Sequence, residues 1–141
     1  MKYGKLIIAR SEFRLISEIL INVFSKDIVH KACYEKLREE LSTAEIIDDD
    51  KMPNDVVRLY SWIDVKTPFG LIQDYQLVMP KDSNQLQKKL SILTPMGSAL
   101  IGYAAGDMVT WSFPAGEKQI TIKNVRQIGS GSFKPGMKSK V

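Results

Sequence analysis

Asp27, His30 and Cys33 are the residues whose types and spacing come nearest to reactive chemistry. An imidazole and a thiol three positions apart share one side of a helix, which could bring a base to a nucleophile. No third residue stands at a spacing that would orient His30, so the sole histidine reads as a solvated polar group. Cys33, the sole cysteine, reads as a small packing residue. Glu45, Asp48, Asp49 and Asp50 crowd enough carboxylates to attract a hard cation. They lack the Asp/Asn, Gly and Glu spacing of a calcium loop and read as a solvated linker. Gly97, Gly102 and Gly106 have neither the order of a dinucleotide fingerprint nor a phosphate-binding lysine after them. Close packing, a helix stop and a turn explain them better. Trp62, Trp111 and Phe113 suit sheet packing before a recognition patch. No catalytic, metal or cofactor-binding residue is assigned, and neither a cofactor nor a small-molecule substrate is expected.

The elements that must carry these residues change in period near residue 50. Ser11 is placed to cap a helix in which Phe13, Ile16, Leu20 and Val23 recur at helical spacing, ending at Ser25-Lys26-Asp27. From about Val29 to Glu45, Cys33, Leu37 and Leu41 form a second stripe with Tyr34 beside it. Neither stripe is stable alone in water. The short connection predicts an antiparallel helical hairpin, a short coiled coil, whose apolar faces are buried mostly against each other. Pro53 disfavours helix at Met52 and closes an acidic linker.

Beyond it the pattern is that of strands. Val57 to Val65 alternates Val57, Leu59, Ser61, Ile63 and Val65 onto one face, and Thr67-Pro68-Phe69-Gly70 turns into Leu71–Met79. After a loop and a turn near Gln85, Thr94 caps a short helix opened by Pro95 and stopped by Gly102. Met96, Ala99 and Leu100 are its expected buried stripe, and Gly97 allows close approach to a sheet. A final hairpin joins Met108–Phe113 to Lys118–Val125. The fold class is therefore α+β. Residues 1–50 form the hairpin and linker, 51–127 an antiparallel sheet domain with one short helix, and 128–141 a flexible basic tail.

Charge is divided between the halves. Residues 1–50 hold eight Lys/Arg against ten Asp/Glu, and residues 51–141 hold twelve against six. A basic end steers a protein toward nucleic acid or an acidic protein surface. Without an aromatic-rich basic groove, any contact with nucleic acid is expected to be indirect. The apolar run Leu6–Ala9 is too short for a signal peptide, and no stretch approaches the ~20 apolar residues that span a bilayer. With its lone thiol, the chain reads as cytoplasmic and without a membrane partner.

The segment Ser91-Ile92-Leu93-Thr94-Pro95-Met96-Gly97-Ser98-Ala99-Leu100-Ile101-Gly102, followed by Gly106-Asp107, resembles the GreA/GreB transcription elongation factor family. Tyr75-Gln76-Leu77-Val78 and Met52-Pro53-Asn54-Asp55-Val56-Val57 extend the resemblance over most of residues 52–127, in its Rnk-like branch (regulator of nucleoside diphosphate kinase). Thr94 stands where the family more often has Ser, which keeps the capping hydroxyl. The resemblance implies an FKBP-like fold for this half, without isomerase chemistry. It also implies a bacterial regulator that binds RNA polymerase.

In the resembled cleavage factors, two carboxylates at the tip of a long coiled coil help hold a catalytic Mg²⁺. Here the tip offers Asp27 alone, and the arms are shorter. The expectation is polymerase binding at the secondary channel through Lys26, Asp27 and His30, without stimulated transcript cleavage. Thr94, Pro95, Gly97, Ala99, Leu100, Gly102, Gly106 and Asp107 serve as a structural motif. Two alternatives stay open: a nucleic-acid-associated module using the basic end, and an FKBP-like isomerase.

Overall fold

The computed structural model describes residues 2–24, 31–113 and 116–127. The chain opens with strand β1 (Ile7–Ala9) and runs directly into helix α1 (Arg10–Phe24). Helix α2 (Lys31–Thr43) returns, and β2 (Glu45–Ile47) pairs in parallel with β1. Strands β3 (Trp62–Thr67) and β4 (Gly70–Val78) form a hairpin, then come β5 (Lys89–Ser91), helix α3 (Pro95–Leu100), β6 (Met108–Phe113) and β7 (Gly116–Arg126). The main sheet is ordered β5-β4-β3-β7-β6. Its pairs are antiparallel except β4 with β5. The α+β class and mostly antiparallel sheet agree with the alternation of the sequence, whereas the parallel β4–β5 pair was not foreseen.

The two helical stripes meet the core in part: Ile16 and Leu20 on α1 and Leu37 and Leu41 on α2 are buried with Tyr34 beside them, Phe13 and Val23 are half-buried, and the Cys33 side chain lies outside what is described. They do not pack mainly on each other. They join Leu59, Ile63, Val65, Leu77, Leu100 and Ile120 in one continuous core. A two-helix hairpin buries too little apolar surface to be stable alone, and shared burial with the sheet supplies the remainder.

Three local readings need correction. The run Leu6–Ala9, read only as too short for a signal, is fully buried and contains β1, whose Ile7 amide donates to Gly102 O (3.2 Å). Ser11 lies inside α1 and is not its cap. Instead the Asp49 carboxylate, from the acidic linker, accepts hydrogen bonds from the Ser11 amide (3.1 Å) and hydroxyl. Anionic oxygen at a helix N-terminus satisfies orphan donors and meets the positive end of the dipole. Finally, Val57, Leu59 and Ser61 are buried on the expected face, but the ladder starts only at Trp62. Tyr60 has φ 69°, and the Arg58 amide donates to Ser61 Oγ (2.8 Å), a turn that breaks the strand.

Candidate functional site

The segment from Ser91 to Asp107 is built around helix α3. Thr94 Oγ1 accepts from the Gly97 amide (3.0 Å) and donates to Ser91 O (2.7 Å), so one hydroxyl caps α3 and anchors it to the end of β5. Pro95 follows at the first helical position, where its missing N–H costs nothing. A Cβ on Gly97 would lie 2.1 Å from Ser91 O, so glycine is what lets helix and strand meet. Leu100 is fully buried, while Met96 and Ala99 are half-buried at the margin of the core. The buried stripe is thus Gly97, Ser98 and Leu100, shifted by the helix's close seat on the strand.

Gly102 has φ 84°, as a left-handed stop requires, and has a second role that its sequence position does not reveal. Its amide donates to Val57 O (3.1 Å) and its carbonyl accepts from Ile7. A Cβ here would come 2.8 Å from Ile8 Cδ1 and 3.2 Å from Leu6 Cβ. Asp107 is buried; its carboxylate accepts from the amides of Ala104 (2.8 Å) and Lys2 (2.6 Å). Gly106, at φ 94°, donates to Ile122 O (2.7 Å) in the turn into β6. One motif therefore seats the short helix, holds the strand that launches α1, and ties down Lys2.

Beside α3 lies an open groove of about 500 Å³, lined on one side by Thr94, Pro95 and Met96 and on the other by Ile72, Tyr75 and Leu90. Its walls are mainly apolar, with Lys89 on the rim. Such a surface suits a protein segment better than a polar small molecule.

Two ionic groups that sequence reasoning missed brace this frame. Glu12 is buried and accepts from Arg58 Nε (3.0 Å) and the Leu59 amide (3.3 Å), while Arg58 also reaches Asp49. Burial raises the Glu12 pKa, and Arg58 and the Leu59 amide only partly oppose it. Asp64, within β3, is buried and receives both Arg126 Nη1 (3.0 Å) and Nη2 (3.1 Å) as a fork. Nη2 also donates to Asp74 (2.9 Å). Burial pushes Asp64 upward, but the hydrogen bonds from Arg126, the Asp74 amide and Asn124 outweigh it and hold its pKa below the ordinary value. A third tie joins α2 to the motif: Tyr103 OH donates to Glu40 (3.4 Å), and burial followed by the Glu40 charge pushes the phenol to about 12. The only sequence signal for these groups was an acid set among core-facing neighbours; their partners are 46 and 62 positions away.

Lys26, Asp27 and His30, the expected polymerase contacts, lie outside the described residues. All eight motif residues from Thr94 to Asp107 are described, and Gly102 joins the motif to β1 and Val57.

A family model for the C-terminal domain of the transcription elongation factors GreA/GreB matches residues 52–127, more than half the chain. The chain belongs to the GreA/GreB family. Transcription elongation factor GreA of Chloroflexus aurantiacus is 35% identical over 92 residues, covering 64% of this chain and 59% of that protein. The Regulator of nucleoside diphosphate kinase of Escherichia coli K12 is 31% identical over 83 residues, covering 58% of this chain and 61% of that one. The chain thus spans about three-fifths of the curated relatives it matches. A solved GreA/GreB structure from Nitrosomonas europaea superposes with a TM-score of 0.68 at 28% identity, covering 87% of this chain and 98% of that one. The GreA/GreB likeness therefore extends to the helical half. Among the described residues no helix is long and apolar enough to cross a membrane.

Proposed function

We propose that this chain is a cytoplasmic regulator of transcription elongation that binds RNA polymerase at the secondary channel without stimulating transcript cleavage. The observation that carries this reading is the double role of the family motif. Its first part walls the apolar groove at Thr94-Pro95-Met96, and its second part, Gly102, fixes the strand from which the hairpin departs. A partner held in the groove therefore meets a hairpin aimed from the same frame. In this reading residues 1–50 are the probing element, and 51–127 an FKBP-like docking domain with no isomerase role.

The lack of cleavage stimulation rests on number and reach. Between Phe24 and Lys31 the sequence holds one carboxylate, Asp27, beside Lys26. The arms have 15 and 13 residues. At 1.5 Å per residue each is about 20 Å long. A single carboxylate next to an ammonium is a poor ligand for the ion that must orient water and offset phosphoryl charge.

The test is the affinity of core RNA polymerase for the full chain, for a chain lacking residues 128–141, and for K26E/D27K. Binding that survives tail deletion and weakens in the charge-swapped variant, with an unchanged circular-dichroism spectrum, supports the reading. Binding lost with the tail would favour the nucleic-acid-associated module instead.

A further inference from the structure

The sheet has a second groove, on the face turned away from the core. Ile63 and Val65 point into the core, so Trp62, Asp64 and Lys66 take the opposite face of β3. Register places Arg126, Trp62, Gln76 and Lys89 in one row across β7, β3, β4 and β5. At the β5 end of this row is an open hollow of about 770 Å³ between Tyr60, Trp62, Asp82, Gln87, Lys88 and Lys89.

Its charges are unequally satisfied. Asp82 accepts the Tyr60 hydroxyl, and Asp74, also at the hollow, accepts from Arg126 (2.9 Å). Among the described residues Lys88 Nζ reaches only the Gln73 carbonyl, at 3.4 Å, and the Tyr75 ring, at 5.9 Å. Among the described residues Lys89 has no carboxylate partner. Lys88 and Lys89 thus bring uncompensated positive charge to a hollow whose lining also holds the half-buried Trp62 indole and Tyr60.

We propose that this hollow is a second docking site, for a segment of RNA polymerase that carries a carboxylate next to an apolar or aromatic side chain. It rests on the reading that the chain binds polymerase. The carboxylate lies between Lys88 and Lys89, where charge is uncompensated, and the apolar neighbour covers Trp62 and Tyr60. A nucleic-acid strand fits less well, because successive phosphates would pass Asp74 and Asp82. Lys89 lines both this hollow and the groove beside Pro95, so the two surfaces are continuous around the β5 edge.

The experiment measures core RNA polymerase binding to the full chain, to K88E/K89E and to K118E/K123E, with folding checked by circular dichroism. Lys118 and Lys123 are exposed on β7 and away from the hollow, so they control for general charge. The expected result is a loss of about tenfold or more in K88E/K89E, with the control pair within about twofold of wild type. Equal loss in both pairs, or no loss in either, overturns the inference while leaving polymerase binding in place. Failure of the unaltered chain to bind removes the polymerase reading itself, and this inference with it. In a W111F chain, quenching of Trp62 by a short oligothymidylate that disappears in K88E/K89E would assign the hollow to nucleic acid and also overturn it.

Discussion

Gly102 presses against Ile8 so closely that a Cβ on the glycine would stand 2.8 Å from the isoleucine Cδ1. Ninety-four positions of sequence separate the two, yet this contact joins the family motif to the strand that launches the helical hairpin. Substitution by valine must fight both a positive φ and this contact. G102V is expected to cost about 2–4 kcal/mol. G106A, where a Cβ meets nothing within 4 Å, bears the backbone cost alone, about 1–2 kcal/mol. Denaturant midpoints in which both variants lose equally would contradict the contact's importance.

Gly97 supplies an independent check on the seat of α3. The atom a Cβ would strike, Ser91 O, is backbone and cannot swing aside. G97A should lower stability by about 1–3 kcal/mol although alanine is the better helix former. A stabilised G97A would show that the helix does not sit this close to the strand.

Arg58 is expected to matter through the acid it covers. In R58A the buried Glu12 carboxylate keeps, among the described residues, only the Leu59 amide, at a cost of about 2 kcal/mol near neutrality. Glu12 already has a raised pKa, so the fold binds its proton more tightly than the unfolded chain does. Removing the guanidinium strengthens that preference. The deficit of R58A relative to wild type should therefore shrink as pH falls through the raised folded values toward the ordinary glutamate range. A deficit that stays constant or grows on acidification would contradict it.

Asp64 titrates in the opposite sense. Its folded pKa lies below the ordinary aspartate value, so its contribution is complete above that ordinary value and is lost as pH falls through the folded one. D64N should be less stable than wild type at neutral pH, and the two should converge in strong acid. Chemical denaturation across that range checks this; parallel curves would mean that the Arg126 fork is not formed.

The parts legible in the sequence were those governed by local rules. The 3.6-residue stripes located Ile16, Leu20, Leu37 and Leu41, and the hydroxyl-Pro-Gly order located the cap, start and stop of α3. Alternation put Val57, Leu59, Ile63 and Val65 on the right face even where the ladder was absent. What escaped depended on distant partners. A strand of three residues such as Ile7–Ala9 carries too little pattern to distinguish it from any apolar run, and only β2 and Gly102 complete it. Asp49 looked like one member of a solvated acidic cluster, because its partner Ser11 lies 38 positions away. Tyr60 interrupts a β-prone run through a backbone turn that propensity does not encode.

The central claim is a factor that occupies polymerase without activating cleavage, and a backtracked elongation complex tests it most directly. Purified protein is titrated into that complex with Mg²⁺, alone and in competition with an active cleavage factor, and 3′ shortening of the RNA is measured. The account predicts no shortening above the polymerase's intrinsic rate from this protein alone, and progressive loss of the competitor's activity as it is added. Robust shortening by this protein that disappears in D27N would contradict the account, as would a competitor left untouched at saturating concentration.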